Sequence, residues 1–232
     1  MIARPDAART EGPRGPVRHG AQGGGAEALS TRDALRQATE AIHARLHALP
    51  ALQALAEGWI SREGYVDLLR RKLGFHLAVE AALAAAPSLA PWGIALAERR
   101  RAPLIEADLA ALGAAPVPLA AAPLPVLDTA ARALGCLYVT EGSTLGGRQL
   151  ARALDGLLPP GEAGRRFLLG HGPRHGAMWR DCCAALERCG AEPARRAEML
   201  AAAAATFCAF EASFSRPGAD RTAGVALPPA GG

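Results

Sequence analysis

The spacing of apolar residues restricts the fold of this chain more than any other feature. Leu35, Ala38, Ile42, Leu46 and Leu49 recur at steps of three and four, the repeat of one face of a helix. Tyr65, Leu68, Leu69, Leu73, Leu77 and Leu83 repeat in the same manner. No stretch alternates apolar and polar residues as a half-buried strand would. Ser30 with Asp33 three residues on predicts the start of a first helix, which ends near Pro50. A longer helix is expected from near Ser61 to Pro87. Residues 92–113 read as one or two short helices broken at Pro103, and PVPLAAAPLPVL (116–127) as an extended connection. A glycine-interrupted helical pattern covers Asp128 to Leu158. GHGPRHG (170–176) reads as a loop, and helices follow at about 177–189 and 193–214. The expected fold class is all-α, a single-domain helical bundle over 30–215. A disordered tail is expected at 1–29 and a flexible one at 216–232.

Composition narrows the function. Basic residues number 26 against 22 acidic, and Lys72 is the sole lysine. So small an excess, spread along the chain, makes no nucleic-acid binding stripe. No apolar run reaches the roughly 18–20 residues of a membrane span, and the first residues lack the apolar centre of a signal peptide. The five cysteines, Cys136, Cys182, Cys183, Cys189 and Cys208, are odd in number and show no CxxC spacing. They read as reduced thiols of a cytoplasmic protein.

Two segments carry candidate chemistry. In the first helix Arg36, Glu40, His43 and His47 share one stripe beside the apolar face. A histidine at such a boundary can reach into a crevice as a metal or haem ligand, or can be an ordinary surface residue. Glu40-x-x-His43 is half of a di-iron motif whose second half does not occur in the sequence, and His-Glu-x-x-His is absent. The second segment is LYVTEGSTLGGRQLARAL (137–154), with Gly142, Gly146 and Gly147 inside a helical pattern. Each costs about 1 kcal/mol relative to alanine. Close helix packing or a flat ligand against bare backbone would offset that cost, and the spacing leaves both readings open. His76 reads as a helix-packing residue, and His171 and His175 have no assigned role.

LRQATEAIHARLHALP (35–50) resembles the first helix of haem oxygenases, and GCLYVTEGSTLGGRQLARAL (135–154) resembles their kinked distal helix. The Glu-Gly-Ser-x-Leu-Gly-Gly run is most similar to the bacterial branch associated with phytochromes. The resemblance covers about residues 30–215. It implies a haem-oxygenase-like bundle with b-type haem, cofactor and substrate together, sandwiched between a proximal and a kinked distal helix. His43 is then the iron ligand. Gly142 and Gly146 then approach the haem face and let the helix bend, the Ser143 hydroxyl is a hydrogen-bond donor to bound oxygen, Gly147 completes the glycine pair, and Arg36 and Arg180 pair with propionates. Tyr138 lies near the propionates and Phe207 walls the pocket. The implied reaction opens haem to biliverdin with O₂ and reducing equivalents, releasing CO and ferrous iron. Implied partners are an electron donor such as a ferredoxin or reductase, and a bacteriophytochrome receiving biliverdin. Ser143 and His47 stand where carboxylates occur elsewhere in the family. Competing readings are a non-catalytic haem carrier or sensor on the same fold, a thiamine-degrading or di-iron relative, and a purely structural helical protein.

Overall fold

The computed structural model describes residues 29–143 and 146–214. The tails expected at either end lie outside the described residues, apart from Leu29. The helices are α1 (Thr31–His47), α2 (Pro50–Glu57), α3 (Arg62–Ala85), α4 (Ala102–Ala111), α5 (Ala130–Gly142), α6 (Gly147–Ala153), α7 (Arg166–Leu169), α8 (His175–Gly190) and α9 (Pro193–Phe214). No strand occurs among the described residues.

Helix starts follow local chemistry. The Ser30 hydroxyl accepts from the Asp33 N–H at 3.1 Å and caps α1, a contact worth about 1 kcal/mol. Ser61 caps α3 in the same way through Gly64 at 3.0 Å. α1 ends shortly before Pro50, as expected, and two prolines then open the helices that follow them. Pro50 begins α2 and Pro103 lies in the first turn of α4, where a missing N–H costs nothing and the fixed φ suits a helix. α8 likewise takes His175 and Gly176 from the expected loop.

Two buried clusters fill the interior. One gathers Leu35, Leu46, Phe75, Leu134, Leu137, Leu186, Met199 and Phe207 from α1, α3, α5, α8 and α9. The other gathers Leu55, Tyr65, Leu69, Ile105, Leu109, Leu154 and Phe167 from α2, α3, α4, α6 and α7. Leu49, Leu52 and Phe210 pack against both and join them. α9 is, contrary to the sequence expectation, long and apolar enough to cross a membrane by length and composition, with a mean hydropathy of 1.2. Here it is the central core helix, with half of that window buried and α5 and α1 packed on it.

Two close approaches fix how α5 and α3 pack. A Cβ at Gly135 would stand 2.3 Å from the Met199 carbonyl oxygen of α9, and one at Gly74 would stand 1.8 Å from that of Leu119. The Leu119 N–H donates to the Arg70 carbonyl at 3.1 Å, so the extended proline-rich segment is laid along α3.

Candidate functional site

α1 and α5 both brace on α9 and run parallel to it. Arg196 near the start of α9 donates to the Ser30 carbonyl at 3.0 Å, and Arg45 near the end of α1 bonds Glu211 near the end of α9 at 2.7 Å. Thr129, the cap of α5, donates to Glu198 at 2.6 Å, and Cys136 further along meets Thr206. α1 and α5 therefore run in the same direction. They touch through a polar contact between the side chains of Thr39 and Tyr138. One turn further on each helix, about 6 Å along the axis, come His43 and Gly142. The two positions stand at the same level on facing helices.

His43 is an exposed residue of α1. Its ring meets Phe207 of α9 edge-on at 6.1 Å and His47 at 4.8 Å. Burial, and then the charge of His47, lowers its pKa below the usual imidazole value. Neutral imidazole is the form that can bind iron. Across from it, a Cβ added to Gly142 would meet only the Trp179 ring, at 3.7 Å, and one added to Gly146 would meet nothing within 4 Å. α5 ends at Gly142 and α6 begins at Gly147, so the helical axis is interrupted between them, with Thr144 and Leu145 outside the described residues. An imidazole of lowered pKa thus sits on α1, and backbone that no Cβ crowds sits at the break between α5 and α6.

Gly147 differs from its neighbours. A Cβ there would lie 2.0 Å from the Leu168 carbonyl oxygen of α7, so close packing already requires this glycine. The two readings left open by the spacing are thus divided among the glycines. Ser143 caps α5, is exposed, and donates its hydroxyl proton to the Thr140 carbonyl at 2.8 Å.

The remaining predicted residues gather along one rim. Tyr138 is half-buried, and its ring centre lies 6.1 Å from that of Trp179. Burial raises its pKa, with the Thr39 contact and the charges of Arg36 and Arg32 pulling the other way. Arg36 therefore sits near the Tyr138 hydroxyl, one heptad before His43. Arg36 and Arg180 are exposed, and neither forms an ion pair within 4.0 Å among the described residues. Their guanidinium groups are available for carboxylates.

Several residues here escaped the sequence. Trp179, next to Arg180, backs both Gly142 and Tyr138, and Thr39 sets the facing of α1 and α5. Behind the kink Arg99 and Glu141 form a buried ion pair at 2.9 Å, and Arg99 also donates to the Met178 carbonyl at 3.1 Å. Burial raises the pKa of Glu141, and Arg99 and Arg101 oppose the rise. Only the neighbouring family run "VTEGS" marks Glu141 in sequence, and nothing there pairs it with Arg99.

Comparison with known proteins identifies the family and the fold. The profile of the family described as "Heme oxygenase" matches residues 29–216. A "Heme oxygenase" of Xanthomonas campestris pv. campestris (strain 8004) is 37% identical over 164 residues, 68% of this chain and 93% of that protein. The NO- and CO-bound heme oxygenase from Neisseria meningitidis superposes with a TM-score of 0.66 at 28% identity, covering 80% of this chain and 90% of that one. Heme oxygenase-1 from the cyanobacterium Synechocystis sp. PCC6803, in complex with heme, shares the fold, with a TM-score of 0.61 at 15% identity over 80% and 91% of the two chains.

Proposed function

The chain belongs to the haem oxygenase family, and from that premise we propose how its own residues hold haem for cleavage. Haem is the substrate and the cofactor, and the reaction is its oxidative opening to biliverdin. The observation that carries the residue assignment is the juxtaposition of a neutral imidazole, His43, with the unencumbered backbone of Gly142 and Gly146 at the same level of parallel helices. His43 is the iron ligand in this reading. Gly142 and Gly146 admit the ring face and leave no room for a competing side-chain ligand. Arg36 and Arg180 bind the two propionates, Tyr138 lies at that rim, and Phe207 holds the His43 ring from below.

When bound, haem supplies the redox chemistry, and the protein supplies position and hydrogen bonds. Ser143 stands at the kink with its proton engaged by Thr140. It acts on the distal side as an acceptor, or as a donor once that bond is exchanged. Gly147 contributes through α7, keeping α6 close enough to present Gly146. O₂ and an electron donor of ferredoxin or reductase type complete the reaction, and a bacteriophytochrome is the proposed recipient of biliverdin on the strength of the Glu-Gly-Ser-x-Leu-Gly-Gly resemblance. Five free cysteines support a reducing, cytoplasmic setting.

The test is to load the protein with haem and add a reductant in air. Loss of the Soret band with growth of the biliverdin spectrum is the expected result. Haem that stays intact through repeated reduction would move the chain to the carrier or sensor reading.

A further inference from the structure

Gly146 stands immediately before α6, a helix with little of its own to hold it in place. α6 is seven residues long, and no side chain caps its start. An isolated helix of that length is unstable in water, so contacts with the rest of the fold set its position. Contacts at both of its ends come from one short segment, 164–168. At the front, a Cβ on Gly147 would stand 2.0 Å from the Leu168 carbonyl oxygen. Further along, Nη1 of buried Arg165 donates to the Ala151 carbonyl at 2.9 Å. Nη2 of the same side chain donates to the Leu158 and Pro159 carbonyls, just beyond α6, at 3.3 and 3.1 Å.

That segment is itself held from α4. Asp108, fully buried on α4, accepts the N–H groups of Arg166 and Phe167 with one oxygen each, both at 2.8 Å. The Gly164 N–H adds a third bond to the same carboxylate. Arg101, just before α4, donates to the Phe167 carbonyl at 2.6 Å. From α3 the Tyr65 hydroxyl donates to the Gly164 carbonyl at 2.7 Å. Hydrogen bonds to a carboxylate are about twice as strong as neutral ones, and a buried N–H left without its acceptor is costly. One side chain of α4 therefore orders the backbone against which both ends of α6 rest.

We propose that Asp108 is a positioning residue of the haem site: by fixing segment 164–168 it sets α6, and with α6 the place of Gly146. It acts through α7 and not on haem. The inference rests on the assignment of Gly146 to the haem face.

Hydrogen–deuterium exchange on the full haem-free chain is the first readout. Asp108→Asn keeps one acceptor oxygen where two stand, so the amides of α7 and α6 should exchange about tenfold faster, as for the loss of one hydrogen bond. Asp108→Ala should exceed that, and Asp108→Asn decides the matter if Asp108→Ala does not fold. α1 and α9 should exchange as in wild type, which a general loss of stability would not allow. Haem titration is the second readout. The Kd of Asp108→Asn should rise at least about fivefold, with the Soret position unchanged because His43 is untouched. Wild-type exchange in α6, or faster exchange shared equally by α1 and α9, overturns the proposal. So does wild-type haem affinity in Asp108→Asn where Gly146→Ala weakens binding. Wild-type affinity in both variants overturns the haem-face reading of Gly146 instead, and exchange in α6 then decides whether Asp108 positions that helix.

Discussion

The guanidinium of Arg99 and the carboxylate of Glu141 meet at 2.9 Å, with both side chains no more than 6% exposed. They join the end of α5 to the turn before α4. Because Arg99 also donates to the Met178 carbonyl of α8, the pair fixes the residue next to Gly142 against two other elements. Removing one partner strands a buried charge. Glu141→Ala should destabilise the fold by about 3–5 kcal/mol, and Arg99→Met with Glu141→Met should recover much of that loss. Urea unfolding of the three proteins measures it, and a single-variant loss below about 1 kcal/mol would show the pair to be dispensable.

The distal glycines should separate by their surroundings. Gly147→Ala drives a methyl into the Leu168 carbonyl and should cost about 1–3 kcal/mol in the haem-free protein. Gly146→Ala meets open space and should leave haem-free stability within about 0.5 kcal/mol while weakening haem binding. Thermal melts and haem titrations on both variants test this. Equal haem affinity in Gly146→Ala and wild type would remove Gly146 from the site.

Asp108 supplies a pH dependence. Burial pushes its carboxyl up to about 6, against the N–H groups of Phe167 and Arg166. Its charged form is thus less favoured in the fold than in the unfolded chain. The associated stability is full below about pH 4 and is lost as pH rises through about 6, about 3 kcal/mol in all. Asp108→Asn cannot ionise, so the wild-type advantage over this variant should shrink by that amount between pH 4 and 7. A difference that stays flat with pH contradicts the assignment.

Thiol reactivity should follow burial and pKa. Cys208 is exposed, whereas Cys136, Cys182 and Cys189 are buried, with Cys136 pushed up to about 11 by burial. An aromatic disulfide reagent should modify Cys208 first and half-buried Cys183 more slowly. The other three should react only on unfolding, and early modification of Cys182 or Cys189 in the native protein would contradict the packing of α8.

Helical periodicity made most of the fold legible. α9 begins where its pattern does and runs through Phe214, the last described residue, and α3 follows its apolar face. The spacing did not reveal α2, because Pro50 both follows one helix and opens the next, and Pro103 opens α4 rather than interrupting a helix. In the candidate site, the glycines stand out because a helix interior makes three of them costly, and His43 because it borders the apolar stripe of α1. The separate duties of the glycines do not, because whether a missing Cβ faces Leu168 or open space depends on α7, far along the chain. Arg99 and Glu141 were illegible for the same reason. They lie 42 residues apart in sequence and are joined by the way α4 and α5 pack.

His43 is the residue on which haem ligation in the proposed site depends. Its direct test is reductant-driven turnover of the haem-loaded His43→Ala protein, with and without added imidazole, followed in the Soret and biliverdin regions. The expected result is an altered haem spectrum with biliverdin formation reduced at least about 100-fold, and partial recovery of the spectrum when imidazole is supplied. An unchanged spectrum and wild-type biliverdin formation in His43→Ala would contradict the account and pass the iron to another ligand, with His47 the first to examine.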